Sequence, residues 1–277
     1  MAIYFEEAKS VEAVNARLAC SDPRFQQLME ALVRHLHAFV KETEPTMDEW
    51  FDAIQFLTWA GQICDEKRQE WILLSDVLGV SMLVDAINNR RPGRATENTV
   101  LGPFHVSNAP RRSMGDNICL DGKGEPCFVS GRVTDESGQP LAGVTLDVWQ
   151  TNGDGFYDVQ QPDAQPQFNM RGLFETGADG AYSFWTTLPL PYSIPDDGPV
   201  GLLLRKSGRH PMRPAHIHFI AEKAGYERLV THIFVRGGAY LESDAVFGVK
   251  EELIGDFVRE GESWRCHFDL CLKPKHG

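Results

Sequence analysis

The spacing of apolar residues changes once along this chain, and that change limits it to a fold with a helical part followed by a sheet part. From Phe25 the apolar positions Leu28, Met29, Leu32, Val33, Leu36, Phe39 and Val40 recur three or four residues apart, which places them on one face of a helix. A second helix start follows Pro45, where Thr46 and Glu49 have the spacing of a capping box and Trp50, Phe51, Ile54, Leu57 and Ile63 continue an apolar face. Residues 71–84 are apolar on most sides, which predicts a helix sandwiched between neighbours. Arg90-Arg91-Pro92-Gly93-Arg94 ends the helical section. Beyond it the period is two, with strands predicted over 128–134, 144–150, 181–187, 216–222, 229–235 and 264–272 and with Gly- and Pro-bearing turns between them. The pattern predicts an α+β chain: an N-terminal helical domain with its linker over 1–105, and an all-β sandwich over 106–277. The segment 188–201 is long enough for a connection to suggest function.

With 277 residues, 42% of them apolar, the chain can bury two cores, and a formal charge of -12 opposes nucleic acid or an anionic membrane as partner. No run approaches the roughly 18 to 20 apolar residues of a membrane span. The stretch Met1-Ala2-Ile3-Tyr4-Phe5-Glu6-Glu7 has neither a basic start nor a signal-type apolar run, so a cytoplasmic protein is expected. Cys20, Cys64, Cys119, Cys127, Cys266 and Cys271 are scattered and are read as reduced thiols. Cys266 falls on the apolar face of the last predicted strand with Trp264, Phe268, Leu270 and Leu272, as a small hydrophobe would.

The chemistry concentrates in Arg213-Pro214-Ala215-His216-Ile217-His218. Strand alternation turns His216 and His218 to one side and Ile217 to the other, which makes a two-imidazole claw. Two tyrosines upstream, Tyr157 and Tyr192, could add phenolate oxygens, a donor set that favours a hard, highly charged ion such as Fe(III). Each residue taken singly also has a plainer reading: a hydrogen-bonded structural histidine, a half-buried aromatic after a turn at Tyr157, a loop anchor at Tyr192. A structural zinc site on the two histidines is another reading, although closed zinc sites usually rely on cysteine.

Gly155-Phe156-Tyr157, Asn169-Met170-Arg171-Gly172, Leu190-Pro191-Tyr192, Gly208-Arg209-His210 and the histidine block resemble, in order, the successive motifs of the intradiol ring-cleaving dioxygenases. Helices ahead of the sandwich, and the block Leu101-Gly102-Pro103-Phe104, are similar to the catechol 1,2-dioxygenase branch. The resemblance implies one non-haem Fe(III) per subunit on Tyr157, Tyr192, His216 and His218, with a solvent hydroxide in the fifth position. It implies catalytic roles for Tyr192, which leaves the metal with a substrate proton, and for Arg213, which faces the substrate ring and stabilises negative charge there.

Thr231-His232-Ile233-Phe234, the segment 241–250 and the helix word 73–83 look more like the hydroxyquinol-cleaving members, and His232 stands where catechol-cleaving members carry glutamine. In that subfamily the positions Leu73, Asp76, Val100, Leu101, Gly102, Pro103, Phe104, Ile194, Pro195, Arg213 and Val246 line the substrate pocket. Asp76 adds a physical reason: a carboxylate facing an apolar pocket needs a hydrogen-bond donor, and a third ring hydroxyl supplies one. The implied reaction is O2-dependent cleavage of hydroxyquinol (1,2,4-trihydroxybenzene) to 3-hydroxy-cis,cis-muconate or maleylacetate in aromatic degradation. Catechol or chlorocatechol cleavage is the alternative within the family. A transthyretin-like binding module is the alternative outside it, since residues 131–143 also resemble such domains. The implied partners are a small aromatic diol or triol and O2, a second subunit in a homodimer joined through the helical domain, and a phospholipid in an apolar tunnel there.

Overall fold

In the computed structural model, which describes residues 4–66, 68–90 and 93–275, Asp22 starts the longest helix. Its Oδ1 accepts the Arg24 N–H at 2.8 Å, and Pro23 occupies the first turn where no donor is needed. The chain divides into two compact units, Met1–Gln62 and Ile63–Gly277. Of the segments interpreted above, Met1 to Ile3 and Arg91-Pro92 lie outside the described residues.

The first unit holds helices α1 (Ser10–Asn15), α2 (Pro23–Thr43) and α3 (Met47–Gln62). The expected capping box forms: Glu49 N–H donates to Thr46 Oγ1 at 3.2 Å, and Thr46 N–H donates to Glu49 Oε2 at 2.8 Å. Within the chain the apolar faces of these helices stay largely uncovered. Only Val33 of α2 and Ala60 of α3 are buried, whereas Leu36, Phe39, Trp50 and Phe51 are all more than half exposed, at 54%, 61%, 51% and 54%.

The second unit begins with α4 (Glu70–Val77) and α5 (Val80–Asn88). The single sandwiched helix expected over 71–84 is therefore two helices, broken where Gly79 adopts a left-handed φ of 72°. Val77 and Met82 turn inward, while Ile72, Leu83 and Val84 remain exposed. The expected boundary at 105/106 falls within this unit, because α4 packs with α6 (Pro199–Lys206) through Leu73, Leu74, Val77, Val200 and Leu204. Among the described residues no helix is long and apolar enough to cross a membrane. Among the described residues none of the six cysteines forms a disulfide.

Among the described residues twelve strands follow: β1 (Pro126–Asp135), β2 (Thr145–Trp149), β3 (Arg171–Glu175), β4 (Ala181–Thr187), β5 (Tyr192–Ser193), β6 (Met212–Arg213), β7 (His216–Glu222), β8 (Leu229–Val235), β9 (Ile254–Gly255), β10 (Phe257–Glu260), β11 (Ser263–His267) and β12 (Leu270–Leu272). One sheet carries β3-β2-β7-β8-β9. The other centres on β1, with antiparallel β4 on one side and parallel β11 and β12 in succession on the other. Val129, Val133 and Phe184 from the latter meet Leu146, Val148, Ile217, Phe219 and Ile233 from the former, the layered core of a sandwich.

Two sequence expectations change in detail. The segment 188–201 holds β5 and the start of α6, with Pro199 in its first turn. The strand expected over 264–272 is interrupted: Phe268 N–H donates to Ser130 O at 2.8 Å and Asp269 Oδ1 accepts the Arg132 N–H at 2.7 Å, so the chain steps across β1 at Gly131. Burial still alternates through the break, with Cys266, Leu270 and Leu272 buried and Phe268 packed on the core.

That step has no room for a side chain. A Cβ on Gly131 would lie 1.9 Å from the Phe268 carbonyl oxygen, backbone against backbone. Gly131→Ala is expected to cost about 2 to 3 kcal/mol of stability, read as a lower urea midpoint at unchanged slope. A parental midpoint would show that the β11–β12 step moves aside freely.

Candidate metal centre

Strand β7 lies between β2 and β8, and its alternation decides what faces the site. Ile217, Phe219 and Ala221 enter the sandwich core. His216, His218 and Ile220 face the other way, where Trp149, Tyr157 and Tyr192 form a second buried cluster with Phe104 packed against it. The two imidazole Nε2 atoms are 3.1 Å apart, and the rings meet at 69°. His216 Nδ1 lies 2.7 Å from the Pro214 carbonyl, which can only accept, so Nδ1 carries the proton and Nε2 presents its lone pair. His218 is held differently. Register sets it between Trp149 on β2, stacked on it at 4.5 Å and 10°, and His232 on β8, edge-on at 4.1 Å.

Tyr157 reaches the histidines from the turn after β2, its Oη 2.8 Å from His218 Nε2. The buried Asp158–Arg171 ion pair, with Oδ1 2.8 Å from Nε and 2.6 Å from Nη2, anchors that turn to β3. Gln160 Oε1 accepts the Tyr157 N–H at 2.9 Å, and Phe104 stacks on the Tyr157 ring at 4.6 Å. Tyr192 arrives through the β5–β6 pairing, which puts it opposite Arg213. Arg213 Nη1 donates to Tyr192 Oη at 3.4 Å and lies 3.4 Å from His216 Nε2. The guanidinium is itself buried, and Asp244 meets it twice, Nε to Oδ1 at 3.1 Å and Nη2 to Oδ2 at 3.2 Å.

Burial sets the protonation states. Together with the Arg213 charge it pulls His216 down to about 3, and together with His232 and His216 it holds His218 well below the usual imidazole range. Burial, then the neighbouring Tyr192, pushes the Tyr157 phenol well above its ordinary value. Burial would also raise Asp244, but the Arg213 charge outweighs it and keeps the carboxyl low. Tyr157, His216 and His218 are thus uncharged rings beside one fixed cation–carboxylate pair.

This donor set fits a metal ion. His216 Nε2 can only accept, so a proton on His218 Nε2 would have to serve both His216 and Tyr157, and His218 Nδ1 has no partner at all. A cation among the Nε2 and Oη atoms satisfies them together. His232 joins the group, with one ring nitrogen within 4.8 Å of one on His216 and one on His218.

Of the expected pocket residues, Leu73, Val100, Ile194 and Val246 share one apolar cluster. Gly102, at φ +76°, would place a Cβ 3.3 Å from His218 Cε1, so glycine keeps the edge of that imidazole open. Asp76 is half-buried. Burial raises its carboxyl, a Ser81 hydrogen bond lowers it, and the charges of Arg213 and Asp244 both reach it. Pro195 is partly exposed, and Leu101 and Pro103 are exposed. The sequence reading had no role for Asp244, Trp149 or the Asp158–Arg171 pair, although Arg171 falls in one of the motifs quoted above and Asp244 in the segment 241–250.

The fold and the site together define a class. The family described as dioxygenase matches residues 100–274, and the catechol dioxygenase N terminus matches residues 22–96. The chain belongs to the intradiol ring-cleavage dioxygenases. It is 59% identical to hydroxyquinol 1,2-dioxygenase of Rhizobium sp. (strain MTP-10005) over 95% of this chain and 89% of that one. It is 51% identical to 6-chlorohydroxyquinol 1,2-dioxygenase of Cupriavidus pinatubonensis over 98% of both. The crystal structure of hydroxyquinol 1,2-dioxygenase from Pseudomonas putida DLL-E4 superposes with a TM-score of 0.91 at 45% identity, covering 97% of each chain.

Because Asp244 is the carboxylate that answers a buried guanidinium, Asp244→Asn leaves an uncompensated charge. The expected loss is about 3 to 5 kcal/mol, measured by urea unfolding. Parental stability would mean that Tyr192 alone suffices as partner for Arg213.

Proposed function

We propose that this dioxygenase uses O2 to open hydroxyquinol between its adjacent hydroxylated carbons, giving 3-hydroxy-cis,cis-muconate or maleylacetate. The observation that carries this reading is the convergence of Tyr157, His216 and His218, with Tyr192 and Arg213 alongside, in a chain whose relatives at 59% and 51% identity are named for hydroxyquinol and its 6-chloro derivative. Tyr157, Tyr192, His216 and His218 would hold one Fe(III) per subunit. When bound, ferric iron would supply Lewis-acidic, redox-active chemistry that makes a diol ring reactive toward O2.

The chain's own groups do the rest. Tyr192, beside Arg213, is the phenolate placed to take a proton from an incoming hydroxyl. Arg213, its charge kept in place by Asp244, stabilises negative charge that builds on the ring. Tyr157, packed between Phe104 and His218, stays fixed. Asp76 accepts a hydrogen bond from the third hydroxyl, while Leu73, Val100, Ile194 and Val246 exclude water around the ring.

The exposed apolar faces of α2 and α3 support a homodimer joined through an N-terminal helical domain over 1–105, with a phospholipid among those faces, and we place the enzyme in the cytoplasm. Sedimentation at micromolar concentration should give twice the chain mass, and solvent extraction should release phospholipid. A monomer would remove the dimer from this reading.

The purified iron protein should show a broad phenolate-to-iron absorption band that shifts on anaerobic addition of hydroxyquinol. A colourless iron-loaded protein would overturn the tyrosine assignment. Asp76→Ala should lower kcat/KM for hydroxyquinol by about tenfold or more while catechol changes little. An unchanged preference would take the third hydroxyl away from Asp76.

A further inference from the structure

His232 is fully buried on β8, directly across from His218; the Val100 backbone bears on the ring, but neither ring nitrogen completes a hydrogen bond of ordinary geometry. A neutral imidazole has one donor and one acceptor, and leaving both unmet inside a protein is costly, so the ring is placed for a partner that arrives with a ligand. That partner is either a cation shared with His216 and His218 or an atom of the reactant. Ring geometry separates the two. An imidazole lone pair lies in the ring plane, and the His216 and His218 planes cross at 69° with their Nε2 atoms 3.1 Å apart, so both can point at one ion. His232 instead lies nearly parallel to His216, at 20° and 4.6 Å between centroids. An ion in the plane of His216 therefore lies out of the plane of His232. An ion shared by His232 and His218 alone would forgo His216 and Tyr157. Closeness of one nitrogen from each ring, all within 4.8 Å, does not make His232 a co-ligand.

The segment next to His232 is the one expected to line the substrate pocket: Thr99 N–H donates to Val230 O at 2.9 Å, which sets Val100 alongside β8. We propose that His232 is a further catalytic residue, one that hydrogen-bonds an oxygen of the bound reactant, either a ring hydroxyl of the triol or dioxygen itself. This rests on the function proposed above and adds a contact to it.

The test compares the parent iron protein with His232→Gln, which keeps a donor and an acceptor, and His232→Leu, which keeps neither. Both variants should retain parental iron content and resting absorption. If the ring hydroxyl is the partner, anaerobic titration with hydroxyquinol gives His232→Leu a Kd about tenfold higher, and His232→Gln returns to within about threefold of the parent. If dioxygen is the partner, the Kd stays put and the rate at which the anaerobic complex reacts with O2 falls about tenfold in His232→Leu, again with recovery in His232→Gln. Iron loss from His232→Gln would make His232 a ligand and overturn the inference, as would a His232→Leu protein with parental Kd and parental O2 rate. Should His232→Leu fail to fold, His232→Phe, which keeps an aromatic ring against His216, carries the same comparison. A parent protein that neither binds iron nor cleaves hydroxyquinol overturns the function itself, an outcome distinct from any change confined to the variants.

Discussion

A guanidinium fixed 3.4 Å from a ring nitrogen in a dry interior sets the electrostatic terms for everything around it, because Arg213 cannot shed its proton and has almost no water to share its charge. Asp244 neutralises it with two contacts, and that pairing also fixes which way the guanidinium edge points, leaving Nη1 toward Tyr192 and His216. A multiply charged cation nearby would then add repulsion that only anionic oxygens can offset. Two tyrosines answer this need where two more neutral ligands would not: as phenolates they bring negative charge when the cation is bound. The high phenol value that burial imposes on Tyr157 and the low imidazole value of His216 are thus two sides of one preorganised site.

The position of that site follows from sheet register more than from any loop. His218 is aimed by its neighbours on both strands, Trp149 across from it on β2 and His232 across from it on β8, and it lacks the backbone hydrogen bond that steadies His216. Metal-binding imidazoles are usually oriented by a hydrogen bond at the far nitrogen. Here one ring has that support and the other is held by aromatic packing, with the Trp149 flank backed in turn by His105, which lies 4.8 Å from that ring and 2.8 Å from Asp147 Oδ2. A rigid central strand carrying both histidines lets two flexible-looking connections, the turn at Tyr157 and the short β5–β6 ribbon at Tyr192, deliver oxygens to a fixed target.

Much of this was legible before any coordinates, because it depends on local periodicity. Alternation in 216–222 gave the claw, the Thr46–Glu49 spacing gave the start of α3, and strands over 181–187, 216–222 and 229–235 fall where the two-residue period places them. The break of the 71–84 helix was signalled by Gly79 but masked by strong apolar residues on either side of it. The interruption at Phe268 was invisible, since the buried face keeps its period straight through it. Asp244 and Trp149 were out of reach for a different reason: each acts through a partner brought close by tertiary pairing, 31 residues away for Arg213. His232 stood out as an unusual residue, but only the β7–β8 register shows that it pairs across from His218.

Substrate choice then rests on unequal costs. In the proposed pocket an apolar wall of Leu73, Val100, Ile194 and Val246 would accept a catechol ring and a hydroxylated one about equally, because extra methylene-scale contacts change binding little. A partly buried carboxylate would not. Asp76 is pulled toward neutrality by burial and by Asp244 while Ser81 and Arg213 favour its charged form, and the balance falls on the raised side. A ring hydroxyl donating to it completes that balance, and a ring without one leaves the acceptor desolvated and unmet. Selectivity for the triol would therefore come from the cost of binding anything less, and it would be coupled through Arg213 to the same charge that acts in the chemistry.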